Sequence, residues 1–401
     1  MNVTDRLADA TARTRERLAV AVAPATDRLP TLVRPARAER LLTVADDNGW
    51  ALLAGLTALA ALVPLGLDAG FYLTVITELF LFAVLALSWD LVGGQTGYPS
   101  FGQMAFFGLG AYTTAILTKD FAVGFPTALL VAGALALVAA AVVGGAVLRL
   151  RGGYFAIATL GVLLATQQVS RNLEITGGPS GKILIDNPAV VPVPPFSGLS
   201  AGEQFYYLFL GVLVAEVAVV YYLDSTRFGH VLNAIRDDEE KATAMGFNTT
   251  YYKTGAWMLA ALFTGFVGGG WSLFNTFVDP LTAYNLAWNV ELIAMALLGG
   301  AGTIAGPVLG AAGLHLAITV IDTLFAGWQL AVVGGVIIAT VIAFPDGVVG
   351  FLHERASAME YYRHGGQAAG EPTGNDPVSE EPAGGATDPT PTTAGENRGE
   401  T

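Results

Sequence analysis

The chain contains no cysteine, which excludes disulfides, thiol nucleophiles and thiolate-held metals. Histidine is nearly as scarce. The four present, His230, His315, His353 and His364, have no partner at i+4, so no metal centre is expected from them. Charge is thin as well: 13% of residues are charged, against about 25% in a soluble globular protein. Lysine supplies only four of the twenty basic residues. No H-E-x-x-H or phosphate-loop pattern occurs, and neither enzyme chemistry nor ATP hydrolysis is expected of this chain. The nearest approach is Thr176–Lys182 (TGGPSGK). It has Thr where the phosphate loop needs its first Gly and Ile183 where it needs Ser or Thr, and it reads as a turn-rich loop.

What is abundant is apolar chain. Hydrophobic residues make up 53% of the sequence, and the mean hydropathy is +0.55. Several runs approach or exceed the roughly 18 apolar residues that a hydrocarbon core demands of a helix. A membrane β-barrel would instead alternate over segments of about ten residues. The expectation is an all-α polytopic membrane protein with about 8–10 transmembrane helices and Gly-rich breaks. The segments run 50–67, 71–91, 104–118, 125–148, 154–169, 205–223, 254–277, 286–298, 308–323 and 328–344. The short Leu286–Leu298 either spans or is re-entrant. Breaks fall at Gly93–Gly102 and Gly299–Gly306, and a polar, Pro-rich loop runs from Arg171 to Gly202.

Counting bases gives orientation. With the N-terminus inside, 17 of the basic residues fall on the cytoplasmic side and three (Lys119, Arg171, Lys182) outside. This fits the positive-inside rule and places both termini in the cytoplasm if Leu286–Leu298 spans. The domain reading is a basic arm at 1–47, a transmembrane domain at 48–350 and a disordered acidic tail at 365–401. The arm is not a secretory signal, because its apolar run is too short. It is a disordered arm or a partly amphipathic helix on anionic lipid. The tail holds seven acids and one Arg, so much of the net charge of −13 resides there. The acidic, Lys-poor composition also suits a high-salt cytoplasm, as in a halophile. Membrane lipids are expected partners and nucleic acid is not.

The stretch around which the chain is organised is 224–253 (DSTRFGHVLNAIRDDEEKATAMGFNTTYYK). It is the longest charged, helix-forming stretch between apolar runs, and it falls on the cytoplasmic side. Glu239, Ala242 and Gly246 stand at E-x-x-A-x-x-x-G. Acids before and a Gly after are the marks of a short helix with a defined stop, although an ordinary solvated loop would also fit. Arg236, Asp237, Glu239, Ala242 and Gly246 are the candidates for gripping a soluble partner.

Two further stretches draw attention. In Leu91–Gly110 (LVGGQTGYPSFGQMAFFGLG), Gly108, Gly110 and Ala111 would let helices approach closely. Gly93, Gly94 and Gly97 would free the backbone where it lines a cavity, or form a flexible turn. In Glu291–Gly310 (ELIAMALLGGAGTIAGPVLG), a second short segment is broken by Gly. Such pairs of broken segments point to a transport pathway. Candidate pathway residues are Gly94, Gln95, Gly97, Gln103, Glu291, Gly300 and Thr303. Glu291 lies either in the membrane, where acids are costly and often functional, or at the outer interface. Glu78 and Asp90 raise the same question, and Glu216 and Asp322 read as interfacial or interhelical. At this level a transporter driven by an ion gradient through Glu291 or Asp90, and a channel or scaffold, remain open.

Four blocks in order, Gly94–Tyr112, Arg151–Gly181, Thr226–Gly246 and Glu291–Gly310, resemble the LivM-type permease subunits of branched-chain amino-acid ABC transporters, over about Trp50–Gly350. The family often has Ser-x-Gly-His where this chain has Ser100–Gln103, and often Asn in place of Asp90. The resemblance implies a subunit of an ATP-driven importer for branched-chain amino acids, with urea or short amides, carried by close relatives, as the alternative. It implies a homologous second permease, two cytoplasmic ATPase subunits that use the ATP, and an extracellular substrate-binding protein. No cofactor bound by this chain is implied. The segment that couples to the ATPases would be Arg236–Gly246.

Overall fold

Apolar runs in lipid must satisfy their own backbone, which makes them helices. The computed structural model describes residues 54–64, 70–184 and 199–324, together with 331, 333–335 and 338. The arm at 1–47, the tail at 365–401, most of the 328–344 segment and the side chain of Asp322 lie outside the described residues. The helices are α1 (Ala54–Pro64), α2 (Phe71–Thr96), α3 (Gln103–Lys119), α4 (Phe125–Val147), α5 (Gly153–Asn172) and α6 (Ala201–Asp224). They continue as α7 (Arg227–Asp237), α8 (Glu239–Ala244), α9 (Thr249–Phe274), α10 (Pro280–Ala283), α11 (Leu286–Gly299) and α12 (Ala305–Leu324). Among the described residues five stretches are long and apolar enough to cross a membrane: α2, α4, α6, α9 and Pro280–Gly299, which joins α10 to α11. The chain is an all-α polytopic membrane protein.

Several boundaries differ from the sequence expectation, each for a local reason. α2 runs through Gly93 and Gly94 to Thr96, so these two glycines do not free the backbone. Gly97, with φ 74°, is the left-handed cap that ends the helix. The first break is therefore the shorter Gly97–Gly102. α9 begins at Thr249, where the Asn248 side chain accepts a hydrogen bond from the Tyr251 amide, and it ends at Phe274. Phe277 is not helical. It pairs with Ile183, as Val278 does with Lys182, in a two-residue antiparallel ladder of β1 (Lys182–Ile183) and β2 (Phe277–Val278). The loop expected after Arg171 is thus partly ordered, with two 3-10 turns before β1.

α9 and α2 are the inner helices. α9 packs on α4, α3, α2 and α6, and α2 packs on α6, α9, α12 and α11. Between helices in lipid there is little hydrophobic drive, so close van der Waals approach must hold them. α9 supplies it with Gly265, Gly268, Gly269 and Gly270. A Cβ on Gly268 would overlap the Phe107 carbonyl of α3, and one on Gly110 of α3 would overlap the Gly265 carbonyl. Deeper in the bundle, the Ser88 hydroxyl of α2 donates to Glu216 Oε1 of α6 at 2.5 Å, and Glu216 is fully buried. Glu216 is therefore interhelical.

These approaches leave no room for a side chain. Gly268→Leu is expected to destabilise the detergent-solubilised subunit by about 3 kcal/mol, the upper end of an overpacking penalty. Gly161→Ala on α5 meets nothing within 4 Å and is expected to change stability by less than about 0.5 kcal/mol. Thermal unfolding followed by size-exclusion monodispersity checks both; equal melting of the two variants would contradict the packing argument.

Candidate functional site

The charged stretch folds as two short helices rather than one. Thr226 caps α7, its hydroxyl accepting from the Phe228 amide at 3.2 Å. Val231, Leu232 and Ile235 form the buried face of α7, at i, i+1 and i+4 as an amphipathic helix requires. The helix stops at Asp238, whose backbone is extended (φ −163°). Its carboxylate accepts from the amides of Glu240 and Lys241 at 3.0 Å each, starting α8. Those amide bonds hold the Asp238 carboxyl below the usual range. Gly246, with φ 88°, ends the unit as expected.

The five residues expected to grip a partner divide in two. Arg236, Asp237 and Gly246 are exposed, as are Glu240, Lys241 and Met245. Glu239 and Ala242 are turned inward. Ala242 is fully buried, and the Glu239 side chain is 13% exposed. Glu239 Oε1 accepts from Lys253 Nζ at 2.6 Å and from the Thr249 hydroxyl at 2.8 Å. Its second oxygen accepts from the Tyr98 hydroxyl. Lys253 also stands over the Tyr98 ring, 4.0 Å from its centroid. This node fastens α8 to α9 and to the first helix break at once. Burial alone would raise the Glu239 carboxyl. The bonds from Lys253, Tyr98 and Thr249 outweigh it and hold the group below its ordinary value. Burial, with the bond to Glu239, pushes the Tyr98 phenol up. Arg151 and Glu240 pair at 2.9 Å across the surface, an exposed pair worth little.

The two breaks close on each other beneath α7. In the first, Trp89 Nε1 donates to the Ser100 carbonyl at 2.7 Å, and the Phe101 amide donates to the Thr159 hydroxyl at 3.0 Å. In the second, Gly300 (φ 122°) ends α11. The Thr303 hydroxyl then donates to the Gly300 carbonyl at 2.8 Å and accepts from the Gly306 amide at 3.0 Å. Asp90 ties the second break to α2, the helix that leads into the first, its Oδ1 accepting from the Gly302 amide at 2.7 Å. A Cβ on Gly94 would lie 2.5 Å from the Gly302 nitrogen, so only glycine permits this approach. Arg236 covers the junction. Its Cα is 3.7 Å from where a Gly97 Cβ would be, and its guanidinium lies against Gly302.

Gly94, Gly97, Gly300 and Thr303 are thus gathered around this junction. Gln95 is buried at the end of α2. Gln103 sits apart at the start of α3, its amide directed to the Thr264 hydroxyl of α9. Glu291 is buried in α11 at 2% exposure and not at a wet interface. The Met104 amide donates to Asn289 Oδ1 at 3.4 Å, so the elements carrying Gln103 and Glu291 meet there. Asp90, Tyr98, Lys253 and Gly302 belong to the site without having been picked out for it. The sequence raised Asp90 as a candidate intramembrane acid and ion site rather than as a tie to Gly302, and Lys253 only as a base before an apolar run.

The Glu239–Lys253 pair yields a direct test. Lys253→Met leaves a carboxylate unpaired in a nearly closed site and is expected to cost about 3–5 kcal/mol. Glu239→Gln added to it should restore most of that loss in thermal unfolding. Because the folded Glu239 value is depressed, its contribution is present above the ordinary value of 4.5 and is lost as pH falls through the folded value. Glu239→Gln should therefore flatten the acid limb of stability against pH.

Comparison with known proteins gives a consistent picture. The chain is 28% identical over 317 residues to the high-affinity branched-chain amino acid transport system permease protein LivM of Escherichia coli, covering 74% of each chain. It is 28% identical over 315 residues to the protein of the same name from Salmonella typhimurium, covering 74% of this chain and 72% of the relative. No solved structure matches. The family model described as branched-chain amino acid transport system / permease component matches residues 71–341, and the chain belongs to that family.

Proposed function

We propose that the chain is a permease subunit of an ATP-driven importer that carries branched-chain, hydrophobic amino acids inward across the plasma membrane. The observation that carries this reading is the attachment of one exposed charged unit, α7–α8, to both helix breaks, through Glu239–Tyr98 and through Arg236 over Gly97 and Gly302. A soluble partner that grips Asp237, Glu240, Lys241 and Met245 can then move both breaks by rigid-body rocking. The distribution of bases, 17 against three, supports a cytoplasmic position for this unit and for both termini. The partners are two cytoplasmic ATPase subunits, a homologous second permease and an extracellular substrate-binding protein. The chain hydrolyses no ATP itself.

The choice of a branched-chain substrate over urea is supported by the similarity to permeases named for branched-chain amino acid transport.

Reconstitution of the subunit with its second permease, ATPases and binding protein in proteoliposomes tests the reading. Leucine is expected to stimulate ATP hydrolysis and to accumulate inside, and urea to do neither. Stimulation by urea alone would replace the substrate. No stimulation, with uptake that follows an imposed ion gradient, would replace the mechanism.

A further inference from the structure

We propose that Asp90 is a positioning residue for transport: its carboxylate latches the second helix break to α2, the helix that leads into the first, under the control of Arg236 on the charged unit. The inference rests on the transport reading above and names the element that the charged unit works on.

A carboxylate at 1% exposure in a membrane helix is expensive. The second break does not need it for local closure, because Thr303 already ties Gly300 to Gly306 with a neutral hydroxyl. What Asp90 adds is a bond from α2 across to another part of the chain, Gly302. Three further features converge on that bond. Gly94, one turn beyond Asp90, has no side chain to obstruct it, and a Cβ there would overlap the Asp90 carboxylate itself. Gly302 takes φ 83°, and a Cβ on it would run into the Arg236 guanidinium. Arg236, on the exposed charged unit, is thus the cation against the Gly302 turn whose amide the Asp90 carboxylate holds.

The carboxylate is half used. Oδ1 holds the Gly302 amide, while Oδ2 accepts no hydrogen bond among the described residues. A shift of α7 that carries Arg236 onto Oδ2 would add an ion pair to the amide bond at Oδ1, and a shift the other way would leave the amide bond alone. The latch would thereby be tightened or loosened by the position of the charged unit, the two-state bias that coupling across a structure requires. Because Arg236 also lies against Gly97, the same shift reaches the first break.

The test uses the reconstituted transporter and reads leucine taken up per ATP hydrolysed. Asp90→Ala removes the acceptor and is expected to lower that ratio by about tenfold or more, the factor one charge-assisted hydrogen bond supplies. Asp90→Asn keeps an oxygen for the Gly302 amide and is expected to retain more of the ratio than Asp90→Ala. A merely structural role would lower uptake and hydrolysis together and leave the ratio unchanged. That result overturns the latch while the transport reading stands; a wild-type complex with no substrate-stimulated hydrolysis overturns both. Should Asp90→Ala fail to assemble, a second measurement decides. The chain has no cysteine, so Gly97→Cys with Arg236→Cys gives a clean pair within bridging reach. Oxidative bridging is expected to differ in rate by about tenfold between the nucleotide-free and ATP-trapped complexes. Equal rates would mean that Arg236 does not move relative to the break, and the proposal fails.

Discussion

Where helices break off inside packed protein, their N–H and C=O groups must find partners within the chain. This chain breaks twice, and the rest of the site follows from how those groups are met. The first break is closed by Trp89 and Thr159 and the second by Thr303 and Asp90. Of these donors and acceptors only Asp90 carries a charge. It is also the one that reaches across the chain, so the backbone of the second break is completed by a side chain from the helix leading into the first. The need to satisfy backbone groups has made the breaks interdependent.

The glycines on each side of this junction serve approach more than flexibility. Gly94 lies in a regular helix and Gly302 in a tight turn, and both are needed because the opposing chain comes too close for a Cβ. The same logic holds between α9 and α3, where Gly268 and Gly110 bring backbones together. Close packing of this kind resists gradual deformation and favours movement of whole units. A charged unit fixed at Glu239, with Arg236 resting on the junction, is suited to pass such a movement inward.

Charge is placed with economy. The exposed face of α7–α8 keeps the charges that a soluble partner can meet, while Glu239 and Lys253 satisfy each other below it. A buried pair of this kind adds less to stability than its geometry suggests, since desolvation offsets most of the attraction. Its value is registry: one carboxylate takes hydrogen bonds from Tyr98, Thr249 and Lys253, which come from two different parts of the chain.

The sequence by itself determined the class of protein and its main divisions. Apolar runs of bilayer length admit little but membrane helices, and the two Gly-rich breaks, the charged stretch between spans and the left-handed cap at Gly246 were all legible from composition and spacing. Local chemistry sets these features, so a one-dimensional reading reaches them. Whether a glycine is a hinge or a packing point was not legible. Gly93 and Gly94 look like part of a break, yet both lie within α2, where a Cβ would meet the Trp89 ring or the Asp90 carboxylate. Nor could spacing reveal that Glu239 faces inward, or that Asp90 meets Gly302, 212 residues away. Those facts depend on which helices lie side by side. In a chain where most helices are uniformly apolar, that is decided by the fit of small residues between neighbours, which only the tertiary structure fixes.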